Sequence, residues 1–460
     1  MPTFLKSDPI YENSNTGDPK SYAYQTARTR WPKIWSSAIS TVQTTIDESK
    51  LSDQDDIASK IIISKLAALI NALARNAPLE PIADDGSSDI EDYNKELLSF
   101  KNLTWLAAPW LFAECYIYRL VYTFFSTSSS FWQSHDIFYT EKCQSLVASH
   151  VATIELLKRF SQILESIRSG DRHLADEQTE EALFDEMVQI ALWGNATDLT
   201  LLSSLSVDEV QSRQGKKARD ASREHIVVND TDKVWALLSA LKNGKCPSTG
   251  VVHIVLDNSG FELLADLVVA SYVLEKKFAD MVVLHGKAMP WFVSDVNARD
   301  FAWLVGSFAE GTYYPDAGRH DKAVIQKTGT YWRDLLSSKK IEYRAHPFWT
   351  TQHSFGRMPE LQPELFAELA GADLIIFKGD LNYRKLTYDG YWPKTTPFSK
   401  AMGPFAEMHG GKGVRTLVLR TCKADVCVGL RAEQEEKLED GWTRYGKYGV
   451  ISYWDAKRAD

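Results

Sequence analysis

Two hydrophobic rhythms divide the chain. In the first half, apolar residues recur every three or four positions. Ile57, Ile61, Leu66, Leu69, Ile70 and Leu73 form one such series, and Val147, Val151, Ile154, Leu157, Leu164 and Ile167 another. That spacing gathers them on one stripe of an α-helix. A further helix is predicted through EEALFDEMVQIALWGN, with Gly194-Asn195 as its C-terminal stop. The polar ADDGSSD (83–89) reads as a loop, and no repeat of solenoid length is present.

The second half is built from short continuous apolar runs separated by helical patterns. The runs are HIVV (225–228), VVHIVL (251–256), MVVLHG (281–286), IEYRAH (341–346), ADLIIFKG (372–379) and RTLVLR (415–420). Apolar strands of this kind, alternating with helices, belong to a parallel sheet covered on both faces. The predicted fold class is α/β: a doubly wound, mostly parallel α/β/α domain over residues 215–460, preceded by an all-helical domain over 1–214.

Charge and cysteine usage narrow the function classes. The formal net charge is −9 and no basic stripe is present, which argues against a nucleic-acid partner. Five scattered cysteines without a CxxC pair suggest neither a disulfide framework nor a zinc ribbon. The N-terminal stretch lacks an apolar signal core, so the expected location is cytoplasmic, with the nucleus as a second compartment. Residues 103–125 are long and apolar, but Pro109, Glu114 and Arg119 interrupt them. The expectation is a kinked helix buried in a soluble domain, with no membrane partner.

Ligands of such sheets bind outside the carboxyl ends of the strands. There the chain places Asp257-Asn258 after one run, Lys287 and then Asp295 after the next, Asp380-Leu381-Asn382-Tyr383-Arg384 after the fifth and Thr421-Cys422-Lys423 after the sixth. Asp257, Asn258 and Asp295 make a hard donor set suited to manganese, cobalt, nickel or magnesium. Lys287, Arg384 and Lys423 are cations on the same rim, and with a metal they describe a phosphate site, Arg384 being a candidate bidentate clamp. The turn Ser259-Gly260 opens a helix whose first amides favour an anion. Plainer roles compete: Asp257 or Asn258 as helix caps, Glu262 as a dipole partner, Asp380 as a turn residue, Lys423 as a surface lysine, Cys422 as packing. His285, His346 and His353 read as structural.

The stretches LDNSGFELLADL, PWFVSD, FKGDLNYRKL and LRTCKADV resemble the metal-dependent damage-control phosphatases. They are most similar to the eukaryotic sugar-phosphate subfamily, whose Arg-Thr-x-Lys motif is matched by Arg420-Thr421-Cys422-Lys423 and which is also described as acidic-residue protein-glutamate carboxyl methyltransferases. RTRWPKIW, WLFAECYIYR and WGNATDLTLL extend the likeness along the helical half; Thr200 stands where the family more often has Ser. The resemblance implies an α/β/α fold with a helical N-terminal region. It also implies one divalent metal on Asp257, Asn258 and Asp295, with substrate contacts from Asp380 through Arg384 and from Lys423.

The expected function is therefore hydrolysis of small phosphorylated metabolites, such as fructose 1-phosphate or fructose 6-phosphate, and of artificial phosphoesters. Arg384 and Lys423 would hold phosphoryl oxygens, with Glu262 and Lys287 beside them. The attacking group is either water or Asp257 through an aspartyl-phosphate. Two alternatives remain at this point. One is methyl transfer from S-adenosylmethionine with Glu262 and Asp295 on the cofactor, though no GxGxG-like loop follows any strand. The other is a non-enzymatic sugar-phosphate sensor. In that second reading the helical lobe would bind a partner; the protein partner is left open.

Overall fold

The structure, a computed structural model, describes Leu5, Asp8, Pro9 and residues 11–170, 176–194 and 223–457. Seven strands form one sheet: β1 (Ile226–Asn229), β2 (Val251–Val255), β3 (Met281–Gly286), β4 (Ile341–Ala345), β5 (Leu374–Lys378), β6 (Arg415–Thr421) and β7 (Gly449–Asp455). Their order is β1-β7-β6-β5-β2-β3-β4. β6, β5, β2, β3 and β4 run parallel; β7 pairs antiparallel to β6 and parallel to β1. The doubly wound, mostly parallel α/β architecture is thus present, and each predicted apolar run forms a strand within a residue or two of its expected bounds. β7 is an addition. Its Val450, Ile451 and Ser452 are fully buried, whereas Tyr453 to Asp455 are half-exposed.

The sheet is sandwiched. On one face Val252, Ile254 and Leu284 pack with the helices Phe261–Glu275, Ala298–Glu310 and Arg319–Ser337. The helices His150–Ser169 and Glu177–Trp193, from the segment 1–214, share this hydrophobic cluster. On the other face Val255, Ile375, Phe377 and Val418 meet Phe355, Phe366, Phe405 and their neighbours.

A third cluster joins the helices between Trp31 and Ser126. The helix Trp110–Ser126 does not run through Pro109 as a kinked element. Pro109 is its N-cap, at φ −54° and ψ 125°, because a proline is tolerated at a helix start and not inside one. The helix Asp53–Ala74 is long and apolar enough to cross a bilayer by length and composition, although it packs with this cluster through Ile62, Leu66, Leu69 and Leu73.

Three residues from the sheet half are buried in the helical cluster: Trp291, Leu381 and Ala424. Each lies within four residues of a rim position, Asp295, Asp380 and Lys423 in turn. The helical half therefore anchors the loops that carry the rim.

Candidate functional site

β3, β2, β5 and β6 are adjacent in the sheet, so the segments leaving their carboxyl ends share one crevice. β2 delivers Asp257 and Asn258. The helix that follows begins at Phe261 and is capped by Gly260, at φ 71°, with no side-chain cap bond. Asp257 and Asn258 therefore do not serve as its caps.

The β3 side is folded onto this turn by backbone hydrogen bonds. Ser259 N–H donates to the Ser294 carbonyl at 2.7 Å, Val296 N–H to that of Asp257 at 2.9 Å and Lys287 N–H to that of Val296 at 2.7 Å. Asn258 and Asp295 stand as bridge partners. Just before them Phe292 and Val293 adopt left-handed backbone, at φ 46° and 71°. A β-branched residue reaches that region only when its surroundings impose it. Here Trp291 is locked in the helical core, Phe292 stacks on Tyr118 at 4.8 Å, and Asp295 N–H closes on the Trp291 carbonyl at 3.1 Å.

β5 delivers Lys378, Gly379 and Asp380. Gly379 has φ +83°, and a Cβ on it would lie 1.8 Å from Asp257 Oδ2. Only glycine permits that turn and that proximity together. β6 delivers the Arg420-Thr421-Cys422-Lys423 segment.

The charges interlock. Lys287 is buried, donating to the Leu256 carbonyl at 2.7 Å and pairing with Asp295 Oδ2 at 3.0 Å. Lys378 pairs with Glu262 at 3.1 Å and Asp266 at 3.0 Å. Asn258 Nδ2 donates to Asp257 Oδ2 and to Glu262 Oε2, each at 2.9 Å, while its Oδ1 accepts from the Ser294 hydroxyl. Burial pushes Asp257 well above the usual carboxylate range, and Asp295 and Glu262 push it further, against the pull of Lys287 and Lys423. Asp295 is also raised by burial, with Lys287 and Lys142 opposing. Burial raises Asp266 to about 7 despite Lys378.

Four carboxylates, Asp257, Glu262, Asp266 and Asp295, thus accompany the three ammonium groups of Lys287, Lys378 and Lys423; Asp295 and Glu262 both repel Asp257, and Glu262 also repels Asp266 and Asp295. Such a site gains from one more cation. Asp257, Asn258 and Asp295 fit a hard divalent ion: two carboxylates and an amide whose oxygen keeps a lone pair beyond the bond to Ser294. Among the described residues no group of three or more His, Cys, Asp and Glu forms a metal-binding cluster.

The remaining expected residues are divided between crevice and interior. Asp380 lies at the rim, its Oδ1 accepting from Arg420 Nε at 2.7 Å and from Lys423 N–H at 2.9 Å. Lys423 is partly exposed and acts electrostatically on Asp257. Leu381 packs into the helical core. Asn382 donates to the Lys378 carbonyl at 2.7 Å. Tyr383 is buried beneath Arg420, at 4.2 Å, and its hydroxyl accepts from Val428 N–H at 2.9 Å.

Arg384 lies 3.7 Å over Trp110 and spends three N–H groups on Asp389 and Glu114. The bidentate partner of this arginine is a protein carboxylate, Asp389, so one edge of the expected phosphate clamp is already occupied. His285 pairs with His253 at 2.7 Å and His353 lies beside Arg357 at 3.2 Å, consistent with structural roles. His346 accepts from Phe348 N–H at 3.2 Å. Thr200 and the rest of NATDLTLL lie outside the described residues, as does the 214/215 boundary.

Sequence reading passed over Lys378, Ser294 and Lys142. Lys142, on the helix Tyr139–Ala148, pairs with Asp136 at 2.8 Å and Asp300 at 2.6 Å and reaches the Asp295 carbonyl at 3.5 Å. A signal for Lys378 was available: a lysine closing the fully apolar run LIIF has to be paired inside the protein.

Residues 26–438 match the family described as the damage-control phosphatase ARMT1-like domain. The chain is 35% identical to the damage-control phosphatase ARMT1 of Rattus norvegicus, the match spanning 95% of this chain and 97% of that one. It is 36% identical to the Xenopus laevis protein of the same name, over 94% and 96% of the two chains, and 34% identical to that of Homo sapiens, over 95% and 97%.

Proposed function

Because the chain belongs to the damage-control phosphatase ARMT1-like family, we propose that its crevice hydrolyses phosphate esters of small sugars, fructose 1-phosphate and fructose 6-phosphate among them, together with artificial phosphoesters. The chain is a metal-dependent phosphatase by family. Supporting the finer reading is the meeting of Asp257, Asn258 and Asp295 with Lys287 and Lys423 at the ends of adjacent strands.

Asp257, Asn258 and Asp295 would hold manganese, cobalt or nickel, with magnesium as a further candidate. Such an ion offsets charge on phosphoryl oxygens. Asp257 is the attacking group of this proposal. Among the described residues its carboxylate receives a single hydrogen bond, from Asn258 to Oδ2. Attack on phosphorus joins Asp257 to the phosphoryl group as the ester oxygen departs and takes a proton from solvent; water then cleaves the acyl phosphate and restores the carboxylate. Lys423 and Lys287 supply positive charge beside Asp257, and Arg384 contributes the N–H groups that Asp389 and Glu114 leave over. Methyl transfer is disfavoured, since Glu262, its expected cofactor contact, is engaged by Asn258 and Lys378.

The test is phosphate release from p-nitrophenyl phosphate and both fructose phosphates. Chelator-stripped protein is resupplied with each divalent metal, beside Asp257→Ala. Metal-dependent release that vanishes in the variant supports the reading; release equal in the variant refutes it. Acid quenching with labelled phosphate tests the attacking group, since label that never stays on Asp257 points to water.

A further inference from the structure

Beneath the crevice lies a charged cluster that touches no open space. Lys378, Glu262 and Asp266 are 1%, 3% and 1% exposed. A lysine and two carboxylates placed inside a core stabilise it less than apolar side chains of the same volume would. Their presence there calls for a task other than stability.

The contacts show a direction. Lys378 closes β5 and is held on three sides: by Asp266 at 3.0 Å, by Glu262 Oε1 at 3.1 Å, and by the Ala191 carbonyl in the last turn of the helix Glu177–Trp193, where intrahelical donors run out. Glu262 turns its other oxygen away from Lys378, and Oε2 accepts from Asn258 Nδ2 at 2.9 Å. The chain of contacts ends on the amide that the proposed metal site needs.

A carboxamide has two ends of nearly equal size, and its neighbours alone decide which end faces where. Asn258 Nδ2 lies between two acceptors, Asp257 Oδ2 and Glu262 Oε2. Oδ1 lies on the Ser294 side, accepting from its hydroxyl, and the backbones of Asn258 and Asp295 are bridge partners. Ser294 cannot choose the end, because a hydroxyl both donates and accepts. Glu262 can, because both of its carboxylate oxygens accept: Lys378 holds Oε1 at 3.1 Å, which leaves Oε2 turned to Nδ2.

We propose that Lys378 is a positioning residue of the metal site: it fixes Glu262, and Glu262 fixes the amide of Asn258 with its oxygen rather than its nitrogen turned toward the cation. The inference rests on the phosphatase reading above for the ion itself. It departs from that reading in assigning Glu262 to the amide instead of to substrate.

The experiment is Mn²⁺ binding to the chelator-stripped full chain, read from the electron paramagnetic resonance signal of the free ion. Glu262→Asp keeps the charge and shortens the reach; it is expected to bind Mn²⁺ about 10–100-fold more weakly, as loss of an outer partner does at other metal sites. Lys378→Met weakens binding in the same direction. That sign is diagnostic, because removing a positive charge would tighten Mn²⁺ if the lysine acted through charge alone.

Tighter or unchanged binding in Lys378→Met overturns the proposal, as does unchanged binding in Glu262→Asp, which remains informative where the methionine variant does not fold. A wild-type chain that takes up no Mn²⁺, Co²⁺ or Ni²⁺ overturns the metal reading itself, which separates the two failures.

Discussion

Gly379 and Asp257 are packed so closely that a methyl group on the glycine would stand 1.8 Å from the carboxylate oxygen Oδ2. The last turn of β5 and the last turn of β2 are thus fitted to each other across the crevice. Gly379→Ala is expected to displace Asp257 and to weaken Mn²⁺ binding by at least about tenfold. It also costs about 1–2 kcal/mol of stability through the left-handed backbone. Titration with Mn²⁺ and urea unfolding measure the two effects separately. A variant that keeps its affinity would mean that Asp257 is not held where the metal proposal needs it.

Arg384 tests whether the rim cations act on substrate or on the fold. Its guanidinium lies between Asp389 and Glu114, all three side chains being nearly inaccessible. Arg384→Ala strands two buried carboxylates and is expected to cost about 3–5 kcal/mol in urea unfolding. Arg384→Ala with Asp389→Ala recovers part of that loss, because one stranded charge is removed. If the single variant unfolds like the wild type and only KM rises, the arginine is chiefly a substrate clamp.

Lys142 links the helical half to the Asp295 loop through Asp136, Asp300 and the Asp295 carbonyl. Asn297 joins the same network, donating to Asp136 at 2.8 Å. Lys142→Met is expected to speed hydrogen exchange in residues 287–300, above all at the amides of Lys287 and Val296 that seal the loop. Unchanged protection there would show that the loop stands without the lysine.

How much of this was legible beforehand follows from the kind of interaction involved. The parallel strands were readable because a strand buried on both faces is mostly apolar, as β2, β3 and β5 are apart from His253, His285 and Lys378. β7 escaped because its second half is half-exposed and because it runs against its neighbour β6. The rim positions followed from the fold rule for strand ends. Their partners did not: Glu114 with Arg384, Lys142 with Asp300 and Ala191 with Lys378 are each more than a hundred residues apart in sequence. Asp389, which fills the planar edge of Arg384, is by contrast only five residues away, brought back by the left-handed backbone of Tyr388 and Asp389.

The histidine pair gives a pH prediction away from the crevice. His253 and His285 share one hydrogen bond between β2 and β3. Burial, with Arg344 adding to it, lowers the His253 pKa to about 4, and burial lowers His285 as well. The unfolded chain therefore binds protons that the folded chain refuses. Stability from this source is complete above about pH 6.5 and is lost as pH falls toward 4, amounting to about 3 kcal/mol for His253. Urea unfolding between pH 7.5 and 4.5 should show a shallower decline in His253→Gln than in the wild type. Parallel declines would refute the assignment.

The place of β7 sets the order in which this molecule can be assembled. Among the described residues β1 has β7 as its strand partner, with Ile226 opposite Gly449, and β6 has one edge open until β7 arrives. A chain emerging from the ribosome therefore carries β1 unpaired until β7 has been made, a period in which apolar strands are exposed to misassociation. The same late segment secures the rim, since Cys422 N–H donates to the Tyr448 carbonyl and Gly446 N–H to that of Cys422, each at 2.8 Å. Closing the sheet and seating Lys423 thus depend on the same segment, and a chain that lacks β7 holds an unfinished crevice.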